Sequence, residues 1–224
     1  MPAINKKKIS MILSEENKFS LVKKILKYAA GKIFKISKKI IFELDLKKNY
    51  PEVAIEQQLL FRLATKQDIE SMDEEHYDYD EKSKQFSKDR LKKGDKCVLA
   101  VLDNRIIGYL WLMKEYMELS QYNYILLSKN RAYTYKGFVV KEYRGKRIHA
   151  AMYKYIITML KKERKRFVVS TVETSNKSGL KSKSRDRAKY EQIGKIINIK
   201  FLGLKYDYIN KKTLKYLQSS HLSE

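Results

Sequence analysis

The sequence predicts a mixed α/β (α+β) fold: a mainly antiparallel sheet of about six or seven strands flanked by helices, preceded by a basic helical extension. Three observations carry this. Short apolar, β-branched runs such as "KCVLAVLD" (96–103) and "RFVVSTVE" (166–173) read as buried strands. The segment "IHAAMYKYIITMLKKERK" (148–165) places Ile148, Ala151, Met152, Tyr155, Ile156, Met159 and Leu160 on one helical face. From residue 56 the order is strand, helix or helices, three strands, helix, strand, helix, two strands.

Taken in order, residues 1–39 hold eleven lysines against two glutamates. Phe19, Val22, Leu26, Ala29, Ile33, Ile36 and Ile40 recur every three or four positions, which predicts an amphipathic helix weakened by Gly31. Such a basic helix over 18–41 fits either docking on the main domain or a partner, or peripheral contact with an anionic membrane. Residues 1–50 are therefore expected to be an extension, helix plus short strand, and 51–224 the main domain.

Strands are expected at "IIFELDL" (40–46) and "QLLFRLA" (58–64), separated by Pro51. "TKQDIESMDEEHYDYDEKSKQFSKDRLKKG" (65–94) predicts one or two helices, with Thr65 or Asp68 as cap. "KCVLAVLD" and "RIIGYLWLMKEYMEL" predict a hairpin turning at Asp103-Asn104. "RAYTYKGFVV" (131–140) is a further strand, and the unit 132–173 should hold parallel strands with a right-handed crossover. A lysine- and serine-rich stretch should lead to a helix that ends near Gly194. "KIINIKFLG" and "LKYDYIN" should finish as a strand pair.

Composition excludes several classes. The 224 residues are 43% apolar, enough for a core, yet no run is long enough to span a bilayer. The first twenty residues lack the apolar stretch of a signal peptide, which favours a cytoplasmic protein. One cysteine, Cys97, excludes a disulfide framework and a thiolate zinc site, and reads as a buried small hydrophobe. The net charge of +23 suits a polyanionic ligand. Lysine, however, far outnumbers arginine, and Ile, Asn and Tyr are abundant, a mix that an AT-rich coding sequence also produces. Charge alone does not select a function.

One joint does point to chemistry. "YRGKRIHA" (143–150) joins a strand to a helix. A helix start exposes amides without internal partners and carries partial positive charge, and a glycine turn lets a phosphate approach. The spacing is neither GxxxxGK[ST] nor GxGxxG. "FVVKEYRGKRIHAAM" (138–152) resembles the acetyl-CoA pyrophosphate loop of the GNAT N-acetyltransferase superfamily: Arg or Gln, two residues, Gly, one residue, then Gly or Ala. Arg144 takes the first position and Gly145-Lys146 the spacer. Arg147 stands where glycine is usual, and His149 where Gly or Ala is usual. Downstream, "AKYEQIGK" (188–195) resembles the family's "xYxxxGF" ending, with Tyr190 and Gly194 in place and Lys195 for the usual Phe. The interval from Asn176 to Tyr190 is longer than the family norm.

The resemblance implies acetyl-CoA as acyl donor and no metal. It implies that the amides of Gly145, Lys146, Arg147, Ile148, His149 and Ala150, with Arg144, hold the pyrophosphate. The backbone of Phe138, Val139 and Val140 would pair with pantetheine, and Asn176 would bond pantetheine or substrate. A neutral amine attacks the thioester, with Glu173 as base and Tyr190 as acid. The acceptor stays open: a small amine or amino sugar, a protein amine, or an aminoacyl-tRNA. The acidic stretch "DEEHYDYDE" (73–81), with His76, is a further acceptor-side candidate, against the reading of a solvated helix face. Two alternatives remain: a non-enzymatic binder of nucleic acid or anionic membrane using "KKERKR" (161–166) and "KSGLKSKSRDRAK" (177–189), and a CoA-binding pseudoenzyme.

Overall fold

The computed structural model describes residues 34–48, 50, 52–54, 58–72, 77, 79–120, 123–184 and 189–219. Ten strands alternate with five α-helices among them: β1 Phe34–Asp45, β2 Leu60–Leu63, α1 Lys66–Ser71, α2 Glu81–Lys92, β3 Lys96–Leu102, β4 Arg105–Met113, β5 Tyr116–Glu118, β6 Tyr124–Leu126, β7 Arg131–Val139, α3 Ile148–Lys162, β8 Phe167–Glu173, α4 Lys177–Ser184, β9 Glu191–Phe201, β10 Leu204–Ile209 and α5 Lys211–Gln218. Eight strands form one sheet in the order β10-β9-β1-β8-β7-β4-β3-β2, and β5 and β6 form a small second one. The main sheet therefore exceeds the six or seven strands expected. Every pair in it is antiparallel except β7–β8, the crossover pair predicted from 132–173.

Local signals account for most boundaries. Asp103 and Asn104, both at positive φ, make the two-residue turn of the β3–β4 hairpin. Thr65 and Asp68 form a capping box at α1. Asp80 caps α2 by accepting from the Ser83 amide at 2.8 Å.

Two expectations are corrected. The helix read through 19–40 is strand from Phe34 onward, and its earlier part lies outside the described residues. β1 is an inner strand, pairing with β8 on one side and β9 on the other, so this tertiary pairing overrides the helical period. Residues 34–41 thus cannot form the membrane-facing helix read over 18–41. The helix expected to end near Gly194 is absent there: Glu191–Phe201 is strand, and α4 ends earlier, at Ser184. Gly194 has a packing reason instead. A Cβ at that position would lie 2.4 Å from the Thr213 side chain of α5. Helix α5 itself was not foreseen.

The core has two sides. Leu44, Val98, Ala100, Leu110, Leu112, Ala132 and Val168 pack under α3, against Ile148, Met152, Ile156 and Leu160. On the opposite face, Leu99, Tyr109 and Trp111 pack against Ile69, Met72 and Tyr79 of the α1–α2 region. Ile41, Tyr133, Val169 and Ile196 pack against Met117, Ile125 and Leu217. Cys97 is fully buried, and burial pushes its thiol far up, as expected of a packing residue.

Candidate active site

The site begins where β7 parts from β8. Their parallel register runs from Arg131↔Phe167 only to Thr134↔Ser170. Beyond it Thr171–Glu173 pair with β1, and Tyr135–Val139 pair with β4 alone. One backbone edge of β7 is left open, as a splayed pair requires. A bulge aligns with this opening: Tyr109 and Trp111 face Phe138 and Tyr135, so Lys136 and Gly137 together oppose Leu110. Lys136 takes φ +45. The isolated glycine inside a strand run was the available sequence signal for the bulge.

At the mouth of the splay, a short 3-10 turn at Lys141–Tyr143 leads into Arg144, Gly145 (φ +83), Lys146 and Arg147. These four are exposed. Arg147 is the N-cap of α3, at φ 63, ψ 11, and no side chain caps the helix. The first amides of α3 are therefore open to an anion. Arg147 holds the left-handed conformation that glycine takes readily, which explains why glycine suits this position.

The other loop and strand candidates divide. Arg144 donates from Nε to the Val139 carbonyl at 2.9 Å and lies over the Phe138 ring. The Val140 amide is donated to Ile107 of β4 at 3.0 Å, so it points away from the open edge, while Val139 faces it by strand alternation. Ile148 is buried in the core, and Ala150 is half-buried on the first turn. Asn176 caps α4, its side-chain oxygen accepting from the Gly179 amide at 2.8 Å.

His149 does more than lend an amide. Its ring lies over Gly137, where a Cβ would come within 2.7 Å of Nε2, and it stacks on Tyr153 at 6.3 Å. Desolvation first, and the Lys183 ammonium second, hold its pKa below the ordinary histidine value. The residue is exposed, so water moderates that depression.

Two groups of side chains flank the splay. On the α3 side, Tyr190 meets Tyr153 edge to face at 5.8 Å, and Lys183 of α4 covers both rings. Burial and the neighbouring Tyr153 and Tyr50 hydroxyls push the Tyr190 phenol well above its usual value. On the opposite face is a cleft of about 510 Å³, lined among others by Glu118, Glu173, Thr171, Tyr133, Tyr135 and Lys136. Glu173 thus shares that cleft with the bulge, whereas Tyr190 lies on the other side of the sheet. Tyr135 is fixed by donating to Asp95 Oδ2 at 2.7 Å, with Arg90 3.6 Å from that carboxylate. Glu118 is half-buried, and burial raises its carboxyl pKa against the lowering effect of Arg90 and Lys39.

Sequence reasoning missed Glu118 and Lys183. Glu118 follows a tyrosine- and methionine-rich run with no motif, and Lys183 lies in a lysine run that reads as solvated. From the acidic stretch, Asp80 reaches the cleft. His76 and His221 lie outside the described residues.

An open strand edge, a bulge beside it and a basic loop at a helix start lie together at one end of the main sheet. The model of the acetyltransferase (GNAT) family matches residues 59–181, more than half of the chain, and the chain belongs to that family. The fold is similar to that of a functionally unknown conserved protein from Staphylococcus epidermidis, at 14% identity and TM-score 0.53, over 84% of this chain and 69% of that one. A GNAT-family acetyltransferase from Colwellia psychrerythraea matches at 12% identity and TM-score 0.53, over 75% of this chain and 57% of its own. A glucosamine N-acetyltransferase region of a fungal multi-domain β-N-acetylglucosaminidase matches at 14% and 0.51, over 76% of this chain and 22% of its own. At these identities the likeness is one of fold. No curated protein sequence matches.

Proposed function

We propose that the protein transfers an acetyl or other acyl group from acetyl-CoA to a primary amine by direct attack. The observation that carries this is the open edge of β7 ending in the basic start of α3. Arg144, Lys146, Arg147 and the amides from Gly145 to Ala150 would hold the pyrophosphate, and the Val139 backbone would face pantetheine. The fit is supported from within the protein: the buried hydroxyls of Tyr153 and Ser170, beside the splay, make no hydrogen bond in it. The chemistry needs an amide donor at the thioester carbonyl and an acceptor for the amine proton. The bulge at Lys136–Gly137 is the candidate for the first, and Glu173 or Glu118 for the second.

A cleft of about 510 Å³ that mixes carboxylates, lysines and tyrosines suits a small amine or amino sugar better than a folded protein or a tRNA. The nucleic-acid reading loses part of its support, because some side chains of the basic runs are engaged within the protein. Within "KKERKR", Glu163 binds Lys96 and Lys114, and Arg166 is 3.5 Å from Asp45. Lys183 is buried. The pseudoenzyme reading has one specific support, the His149 ring over Gly137. If that ring blocks the open edge of β7, His149→Ala should tighten acetyl-CoA binding.

Calorimetric titration with acetyl-CoA at two salt concentrations, with ATP as control, tests the reading. Micromolar binding selective over ATP is expected. Arg147→Glu should weaken it about tenfold or more, since it reverses a charge at the helix start. Absence of binding to the wild type removes the acyl-CoA reading. Unchanged affinity in Arg147→Glu removes Arg147 from the phosphate site.

A further inference from the structure

The α3 side of the splay holds a charge that no carboxylate among the described residues balances. Lys183, on the last turn of α4, is only 8% exposed. Its Nζ lies 3.8 Å from the ring centre of Tyr190 and 4.4 Å from that of Tyr153. Two ring faces favour an ammonium but do not replace its hydration. Among the described residues no carboxylate offsets the cost, and desolvation alone lowers its pKa to about 7.

A second observation concerns the tyrosine that this lysine covers. The Tyr153 hydroxyl and Ser170 Oγ are buried and form no hydrogen bond in the protein. Thr134, Ser170 and Tyr190 are near enough to influence Tyr153, yet none meets hydrogen-bond geometry with it. Ser170 belongs to the last register pair before β7 leaves β8. The ammonium, two unsatisfied hydroxyls and the root of the splay therefore converge. Among the described residues, the titratable groups facing Lys183 are His149 and Tyr153 of α3 and Tyr190 before β9, with Tyr50 stacked behind Tyr153.

We propose that Lys183 donates the proton to the thiolate that leaves when the acceptor amine attacks the thioester. The inference rests on the acetyl-CoA reading above. The amine nitrogen forms a bond to the acyl carbon, the carbon–sulfur bond breaks, and its electron pair goes to sulfur. Lys183 gives that sulfur a proton and becomes a neutral amine. The proton lost by the attacking amine passes to a carboxylate in the opposite cleft, and water returns one to Lys183 before the next cycle. A phenol held well above its usual pKa is the poorer donor, so Tyr190 serves as the wall that desolvates the lysine.

The test uses hydroxylamine as a small neutral acceptor, acetyl-CoA as donor and thiol release as readout, after calorimetry has established acetyl-CoA binding. In the wild type, kcat should fall as pH rises through the neutral range. Lys183→Met should lower kcat by about a hundredfold and abolish that pH limb. Its acetyl-CoA Kd should stay within about threefold, less than the shift that one lost charge contact gives. Removing a desolvated charge does not threaten the fold, and thermal melting checks this. Lys183→Arg keeps the charge but cannot release a proton, so it should be as slow as Lys183→Met. Full rate in either variant overturns the proposal. So does acetylation of Lys183 itself, seen by mass spectrometry, or wild-type binding of acetyl-CoA without thiol release at any pH. Failure of the wild type to bind acetyl-CoA overturns the acyl-CoA reading and this inference with it, and calorimetry separates the two cases.

Discussion

The two sides of the splay differ in chemistry. The α3 side presents basic side chains and aromatic faces: Lys183 and His149 among Tyr153 and Tyr190. The other side presents the carboxylates Glu118 and Glu173 beside Tyr133 and Tyr135, together with Lys39, Lys82 and Lys136. Burial acts on both with opposite results. It lowers the pKa of Lys183, so that it gives up a proton more easily, and raises that of Glu118, so that it takes one more readily. On the proposed reading, the strand pair stands between a proton donor, Lys183, and a proton acceptor, Glu118 or Glu173.

The comparison breaks most completely if the sheet between the two sides is loosened. Arg131 and Glu43 form an ion pair at 1% and 4% side-chain exposure, tying β7 to β1 across β8. Arg131 also donates to Ser128 Oγ and to the Ser219 carbonyl, each at 2.8 Å. Glu43→Ala leaves a buried guanidinium without its partner and should cost about 3–5 kcal/mol, read as a large fall in denaturation midpoint. A change under about 1 kcal/mol would show that the pair does not hold the sheet.

Removing one carboxylate sharpens the comparison. Glu173→Gln and Glu118→Gln should each leave acetyl-CoA affinity nearly intact. The variant that removes the base should lose about a hundredfold in kcat. The sign of the pH effect identifies it. A base must be ionised, so activity rises with pH through its pKa; because burial raises the Glu118 carboxyl, a limb above the ordinary carboxylate range that vanishes in Glu118→Gln assigns the role to Glu118. A limb unchanged in that variant assigns it to Glu173.

The smallest expected effect lies at the loop. Arg147 pays a steric cost at φ 63 that glycine avoids, partly offset by the greater freedom of an unfolded glycine. Arg147→Gly should stabilise the protein by about 0.5–1 kcal/mol in urea unfolding. A loss of stability would mean that the arginine side chain contributes packing that outweighs its strained backbone.

The strand, turn and helix that border the opening were legible because local signals agree with the tertiary structure there. The strand at 131–139, the basic turn and the apolar face of α3 each follow from composition and period. Glu173 was legible as well, since it ends an evident strand. At Phe34–Asp45 the signals conflict: the run has a helical spacing of apolar residues, yet two neighbouring strands offer it ladders on both edges. At Lys183 the difficulty is of another kind, because a lysine run contains no mark of which member will be buried.

The sequence by itself determined the strand and helix runs of most of the domain, the parallel crossover and the phosphate-type turn. These depend on spacing along the chain, which periodicity and turn chemistry record directly. Tertiary structure decided the inner position of β1, the side of the sheet on which each candidate acid and base stands, and the burial of Lys183 and Glu118. Those properties arise from side chains far apart in sequence meeting across the sheet, and desolvation has no signature in a linear order of residues.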